Sequence, residues 1–141
     1  MNAGPSRLPH DVVAVIAAGG ALGAPARYEV SQLIHVAKDS FPWATLVTNL
    51  SGAFVLGLFL TFTLERLAST RYHLLRPFCA IGFLGAFTTF STMAVETVTL
   101  EKDGYVALGL GYLIVSIGAG LVVTYLGIAV ARRLPRRAGG S

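Results

Sequence analysis

Gly82-Phe-Leu-Gly85-Ala-Phe-Thr88-Thr89-Phe90-Ser91-Thr92-Met93 decides how the chain is read. Two glycines, two consecutive threonines and a Ser-Thr pair make a poor helix. Glycine costs about 1 kcal/mol relative to alanine, and threonine loses side-chain freedom against the preceding turn. Yet the stretch belongs to an apolar segment, Pro77 to Val95, that carries no formal charge and is long enough to cross a bilayer. Backbone that leaves a helix at membrane depth must be buried in protein or satisfied by ions or water. Interrupted helices near the midplane build ion sites. On spacing alone, a continuous helix with a glycine-rich packing face is the alternative.

The flanking segments repeat the apolar theme. Phe41 to Leu64 and Tyr105 to Ala131 also carry no charge. The first segment is less clean: Val12 to Ala26 is apolar, Arg27 and Glu29 interrupt, and Val30 to Ala37 continues more weakly with Ser31, Gln32 and His35. Val12 to Ala24 resembles the apolar part of a signal peptide, but Asp11 and two prolines precede it and three more apolar segments follow. The expected fold is an all-α membrane protein with spans at about 12–36, 41–64, 77–99 and 105–131. Residues 1–131 form a single domain, followed by a mobile basic tail, 132–141.

Composition agrees. The chain of 141 residues is 54% hydrophobic and only 13% charged, with a mean hydropathy of +0.67, whereas soluble domains carry about 25% charged residues. The net charge of +4 comes from arginines between and beyond the apolar runs, which suits anionic headgroups rather than nucleic acid. Cys79 stands alone, so no internal disulfide or thiolate cluster forms. His10, His35 and His73 are not at ligand spacing. No nucleophile–base set, phosphate loop or metal motif supports an enzyme. Arg7, Arg66, Arg71, Arg76, Arg132, Arg133, Arg136 and Arg137 would share one membrane face, against Lys38 and Lys102 on the other. That bias predicts cytoplasmic termini in the cell membrane.

Polar side chains at lipid depth are costly and mark function. Thr45 and Asn49 share a face of the second span. Asn49 offers amide N–H donors that an anion can use. Thr48, Ser51 and Gly52 read as a helix-packing ridge. On the fourth span Tyr112, Ser116, Gly120 and Thr124 recur every four residues, a stripe that fits either an ion path or a packing seam.

These residues resemble the Fluc fluoride channels, also called CrcB-like proteins. The matching pieces are Gly19-Gly20-Ala-Leu-Gly23 with Arg27-Tyr28, Thr45-Leu-Val-Thr-Asn49-Leu-Ser-Gly52, and the stretch from Gly82 to Thr92 with Glu96. The third-span motif is specific; the first-span glycines alone are weak. The resemblance covers the whole chain in length, span count and order. It implies an antiparallel dimer, a broken third helix, and a central sodium ion that is not transported. That ion would be held by backbone carbonyls of Gly85 and Thr88 from each subunit. It also implies a fluoride path lined by Phe90, Asn49, Thr45, Tyr112 and Ser116, with Glu96 nearby. Electropositive ring edges and N–H or O–H donors would meet the dehydrating anion. The second lining ring expected of the family is Met93 here, which is apolar but lacks the positive edge, so lower throughput is expected. Arg27 is expected to be structural, a snorkelling side chain with a local partner.

Two tensions accompany the resemblance. Antiparallel pairing of identical chains needs a small charge bias, and the arginine excess instead points to an oppositely oriented homologue as partner, unless the arginines of the tail and long loop count for less. A small dual-topology multidrug exporter coupled to protons is the rival function. It would need a carboxylate at the centre of the first span, and Glu29 lies beyond the cleanly apolar part, beside Arg27. A membrane assembly protein that transports nothing is a further rival, and it leaves the Gly-Thr-Phe-Ser cluster unexplained.

Overall fold

The first helix starts behind a proline. Pro9 is extended (φ −54°, ψ 137°), and its carbonyl accepts the N–H groups of Val12 and Val13, which launches α1, His10–Leu33. The computed structural model describes residues 9–37, 40–66 and 73–134. The tail beyond 134, with Arg136 and Arg137, and the loop arginine Arg71 lie outside the described residues, as does Arg7. α1 stops three residues short of the expected span end at 36, because Ile34 (φ −100°, ψ 88°) turns out of the helix. α2 spans Trp43–Arg66. The next apolar segment is composite. Pro77–Phe83 is π-helical, α3 covers Leu84–Phe87 and α4 covers Phe90–Lys102. Between the last two, Thr88 (φ −80°, ψ 156°) and Thr89 (φ −147°, ψ 119°) are extended. Gly104, at φ +90°, makes the left-handed turn that L-residues resist, and α5 follows as Val106–Arg133.

Three helical segments are long and apolar enough to cross a membrane: Trp43–Glu65, Pro77–Lys102 and Val106–Arg133. α1 has the length, but Arg27 and Glu29 dilute its hydropathy. Outward faces are apolar as well: Ile114, Leu121 and Tyr125 on α5 are largely exposed. A soluble protein does not display such a surface; hydrocarbon tolerates it. The chain is a multi-pass membrane protein.

Helices approach where side chains are smallest. α2 packs chiefly on α5, and α1 on the π-helical segment and α3. At the second seam a Cβ on Gly19 would run into the Phe78 carbonyl, one on Gly23 into the Phe83 carbonyl, and one on Gly82 into Ile16. Backbone therefore lies on backbone there, the arrangement small residues permit in membranes. Gly111 is different, since a Cβ there meets nothing within 4 Å. Gly111→Ala is expected to raise stability by about 0.5–1 kcal/mol, the backbone-entropy difference in a helix interior, measurable as a higher midpoint of thermal unfolding in detergent.

Candidate functional site

The extended pair Thr88–Thr89 is held from α2. Asn49 Nδ2 donates to the Thr89 carbonyl at 2.9 Å, and the Thr89 N–H donates to Asn49 Oδ1 at 2.7 Å. A helix continuing through this point would send the Thr89 N–H to the Gly85 carbonyl and the Thr92 N–H to the Thr88 carbonyl. The first is taken by Asn49. The second donates to Thr89 Oγ1 at 3.1 Å, an N-cap for α4. The carbonyls of Gly85 and Thr88 are thereby relieved of their helical partners. Thr89 Oγ1 in turn donates to Thr92 Oγ1 at 2.9 Å, and Thr88 Oγ1 donates back to the Leu84 carbonyl.

These groups line an open groove of about 330 Å³ that includes Asn49, Gly85, Thr88, Phe90, Met93 and Ser116. Phe90 is 72% exposed and Met93 only 4%. Phe90 thus presents its ring outward, while Met93 touches the groove but is packed with Leu46 and Tyr112. The two positions are three apart on α4, yet one faces out and the other the core.

A second cluster lies one to two turns further along α4. Glu96 accepts from Thr45 Oγ1 through Oε1 at 2.7 Å and from the Tyr112 hydroxyl through Oε2 at 2.8 Å. Tyr112 is fully buried, and Phe41 packs edge-on against its ring. Three helices, α2, α4 and α5, therefore converge on one carboxylate. Ser116, one turn along α5 from Tyr112, is buried with its hydroxyl oxygen unpartnered. Glu96 also borders a wider cavity of about 450 Å³ shared with Ser31, His35, Ser40 and Thr99, which opens toward the α1–α2 connection.

Arg27 is partly buried and lines a cavity of about 190 Å³ with Tyr28, Ser31, Thr45, Thr48, Thr89 and Thr92. It faces hydroxyls, and no carboxylate among the described residues forms an ion pair with it. The structure thus gathers Asn49, Gly85, Thr88, Phe90, Met93 and Ser116 around one groove. Thr45, Tyr112 and Glu96 form a separate hydrogen-bonded set, and Arg27 lies on the α1 side.

Sequence reasoning passed over two features. Thr89 was not named as a site residue, although threonine is among the residue types favoured at an N-cap and Thr89 caps α4. The π-helical segment, which lies backbone to backbone against the α1 glycines, left no signal in the sequence.

Comparison with known proteins places this geometry in context. Residues 14–128 match the family model described as CrcB-like protein, Camphor Resistance (CrcB). The chain is 45% identical over 127 residues to Fluoride-specific ion channel FluC 3 of Streptomyces avermitilis, covering 90% of this chain and 61% of that protein. It thus spans less than two thirds of that relative's length. It is 43% identical over 122 residues to Fluoride-specific ion channel FluC 1 of Mycolicibacterium paratuberculosis, covering 86% of this chain and 91% of that one. With Fluoride-specific ion channel FluC 2 of Nocardia farcinica it shares 40% identity over 131 residues, 91% and 92% of the two chains. These relatives are named as channels, not enzymes. A family match that runs from α1 nearly to the end of α5 takes in every element described above, and the chain belongs to the CrcB-like protein family.

Proposed function

We propose that the chain is one subunit of a dimeric fluoride channel in the cell membrane, letting fluoride leave passively and so lowering its cytoplasmic level. The observation that carries the reading is an outward-facing Phe90 ring next to carbonyls stripped of helical partners at Gly85 and Thr88. Its relatives' names supply the anion. Such backbone cannot face lipid, where each unsatisfied group costs several kcal/mol. A second subunit that covers the groove supplies the missing wall. The edge of the Phe90 ring is electropositive, and the Asn49 amide and the hydroxyls of Ser116, Tyr112 and Thr45 are donors. Fluoride shedding water along this line would meet ring edges and protons. Thr45 and Tyr112 donate to Glu96, so an anion using their protons would compete with that carboxylate.

The carbonyls fit a structural sodium ion, since a hard cation takes oxygen ligands and Gly85 and Thr88 offer theirs. Bound there, sodium would supply a positive charge that ties two subunits together without being transported. This chain's contribution is to keep those oxygens out of helical hydrogen bonds. The arginine excess on one face favours an oppositely inserted homologue as partner over a second identical chain.

Fluoride efflux from proteoliposomes, followed with a fluoride electrode, tests the reading. Rapid fluoride release with negligible chloride release, lost when sodium is replaced, is expected. Equal chloride release, or none of either ion from both the chain alone and the chain with a homologue, would refute it. A proton-coupled exporter finds little purchase here: Glu29 is exposed on α1, not buried at a span centre. Met93→Phe would add the ring edge and is expected to raise flux. The fuller side chain should cost about 1–3 kcal/mol of stability in a packed core. Unchanged flux would remove Met93 from the path.

A further inference from the structure

We propose that Asn49 is a positioning residue: through the Thr89 backbone it keeps the Gly85 carbonyl available to a cation. The proposal rests on the dimeric sodium-bearing channel described above and assigns Asn49 work beyond touching the anion. An extended residue presents its own N–H and C=O to the same side, as in a hydrogen-bonded antiparallel pair. Thr89 is extended. A primary amide carries a donor and an acceptor side by side, so Asn49 behaves toward Thr89 as a one-residue neighbouring strand. Both bonds are short, 2.7 and 2.9 Å, and Thr89 is buried, so water does not compete strongly for its groups.

The alternative for these atoms is the helix. If the Thr89 N–H is not held by Asn49 Oδ1, its nearest uncommitted acceptor along the chain is the Gly85 carbonyl. Closing that bond would also draw Thr89 out of its N-cap conformation, freeing the Thr92 N–H for the Thr88 carbonyl. Both cation ligands would be lost together. The break is then a two-state element, and a cation binds only the open state. Its apparent affinity falls in proportion to the open fraction. The acceptor atom Oδ1 matters most, because it captures the N–H that would otherwise take the Gly85 oxygen.

Two variants separate this role from anion contact. Asn49→Ala removes donor and acceptor, and Asn49→Asp keeps an acceptor for the Thr89 N–H at nearly the same shape. Radioactive sodium binding to the detergent-solubilised dimer should show half-saturation raised tenfold or more in Asn49→Ala but within threefold of wild type in Asn49→Asp. Fluoride flux through Asn49→Ala should recover as sodium is raised. Sodium binding unchanged in Asn49→Ala, with flux reduced at every sodium concentration, would overturn the proposal. So would loss of sodium binding in Asn49→Asp, the variant that decides if Asn49→Ala does not assemble. If wild-type protein neither binds sodium nor depends on it, the sodium reading fails on its own. Carbon chemical shifts of Thr89 then test the clamp: a move from extended toward helical values in Asn49→Ala supports it, and unmoved shifts sink it.

Discussion

Gly23→Val is expected to destabilise the fold by about 3 kcal/mol or more, the upper range for overfilling a packed site. Gly23 is buried on α1, and a Cβ there would collide with the Phe83 carbonyl and the carbon atoms behind it. The obstacle is backbone at the end of the π-helical segment, so no rotamer change relieves it. α1 would have to move away, which would also break the close contacts of Gly19 with Phe78 and of Gly82 with Ile16. Gly20, three residues earlier on α1, is the control: a Cβ there meets Ala86 and the Gly82 carbonyl at 3.9 Å, ordinary contact. Gly20→Ala should match wild type or exceed it slightly. Thermal unfolding in detergent, read alongside gel filtration, measures both. Equal midpoints for the Gly23 and Gly20 variants would show that α1 is free to slide and that the seam is not tight.

Glu96→Ala should have the second large effect. Its carboxylate accepts from Thr45 and Tyr112, and both hydroxyls are buried, Tyr112 completely. Removing it orphans two donors, at about 1–3 kcal/mol for each unsatisfied buried group. Glu96→Gln keeps the shape and one acceptor, and the loss should be nearer 1 kcal/mol. Tyr112→Phe removes the other partner. The double variant with Glu96→Ala should be less destabilised than the sum of the singles, by about 0.5–3 kcal/mol of coupling. Additive losses would mean that the Tyr112–Glu96 bond carries no stability. Because the three groups tie α2, α4 and α5 together, flux should fall along with stability in Glu96→Ala.

How much of this was visible beforehand differs from residue to residue. The apolar runs at 41–64, 77–95 and 105–131 announce membrane helices, because hydropathy and length are additive properties of a local window. α1 was less certain for the same reason: Arg27 and Glu29 lower the local sum. The weakness of the helix between Gly82 and Thr92 was equally local. Where that weakness is expressed was not. Gly85 itself sits in α3. The extended residues are Thr88 and Thr89, where an amide from a different helix is within reach. Asn49 was singled out as a donor for an anion, while its bond partners came into view only with α2 laid beside the third segment.

Met93 shows the same division. Three residues from Phe90 on a helix, it was expected to share the anion's route. Helical geometry puts positions three apart on roughly one face, and both border the groove, but Phe90 is exposed while Met93 is buried against Leu46 and Tyr112. The hydroxyl stripe on α5 was ambiguous between path and packing. In place, Tyr112 is committed to Glu96, Thr124 donates to its own helix at Gly120, and Ser116 is left with an unpartnered oxygen.

The sequence by itself determined a chain of apolar helices with one segment poorly suited to a helix, and left open whether that segment breaks or continues with a glycine-rich packing face, since each property is a sum over neighbours along the chain. Only the tertiary structure decided which peptide groups the unfit segment releases. That choice depends on a donor and an acceptor brought from far along the chain, the Asn49 amide to Thr89, just as Thr45 and Tyr112 are brought to Glu96. Hydrogen bonds act over about 3 Å, so their partners are fixed by how helices pack and not by how residues are spaced.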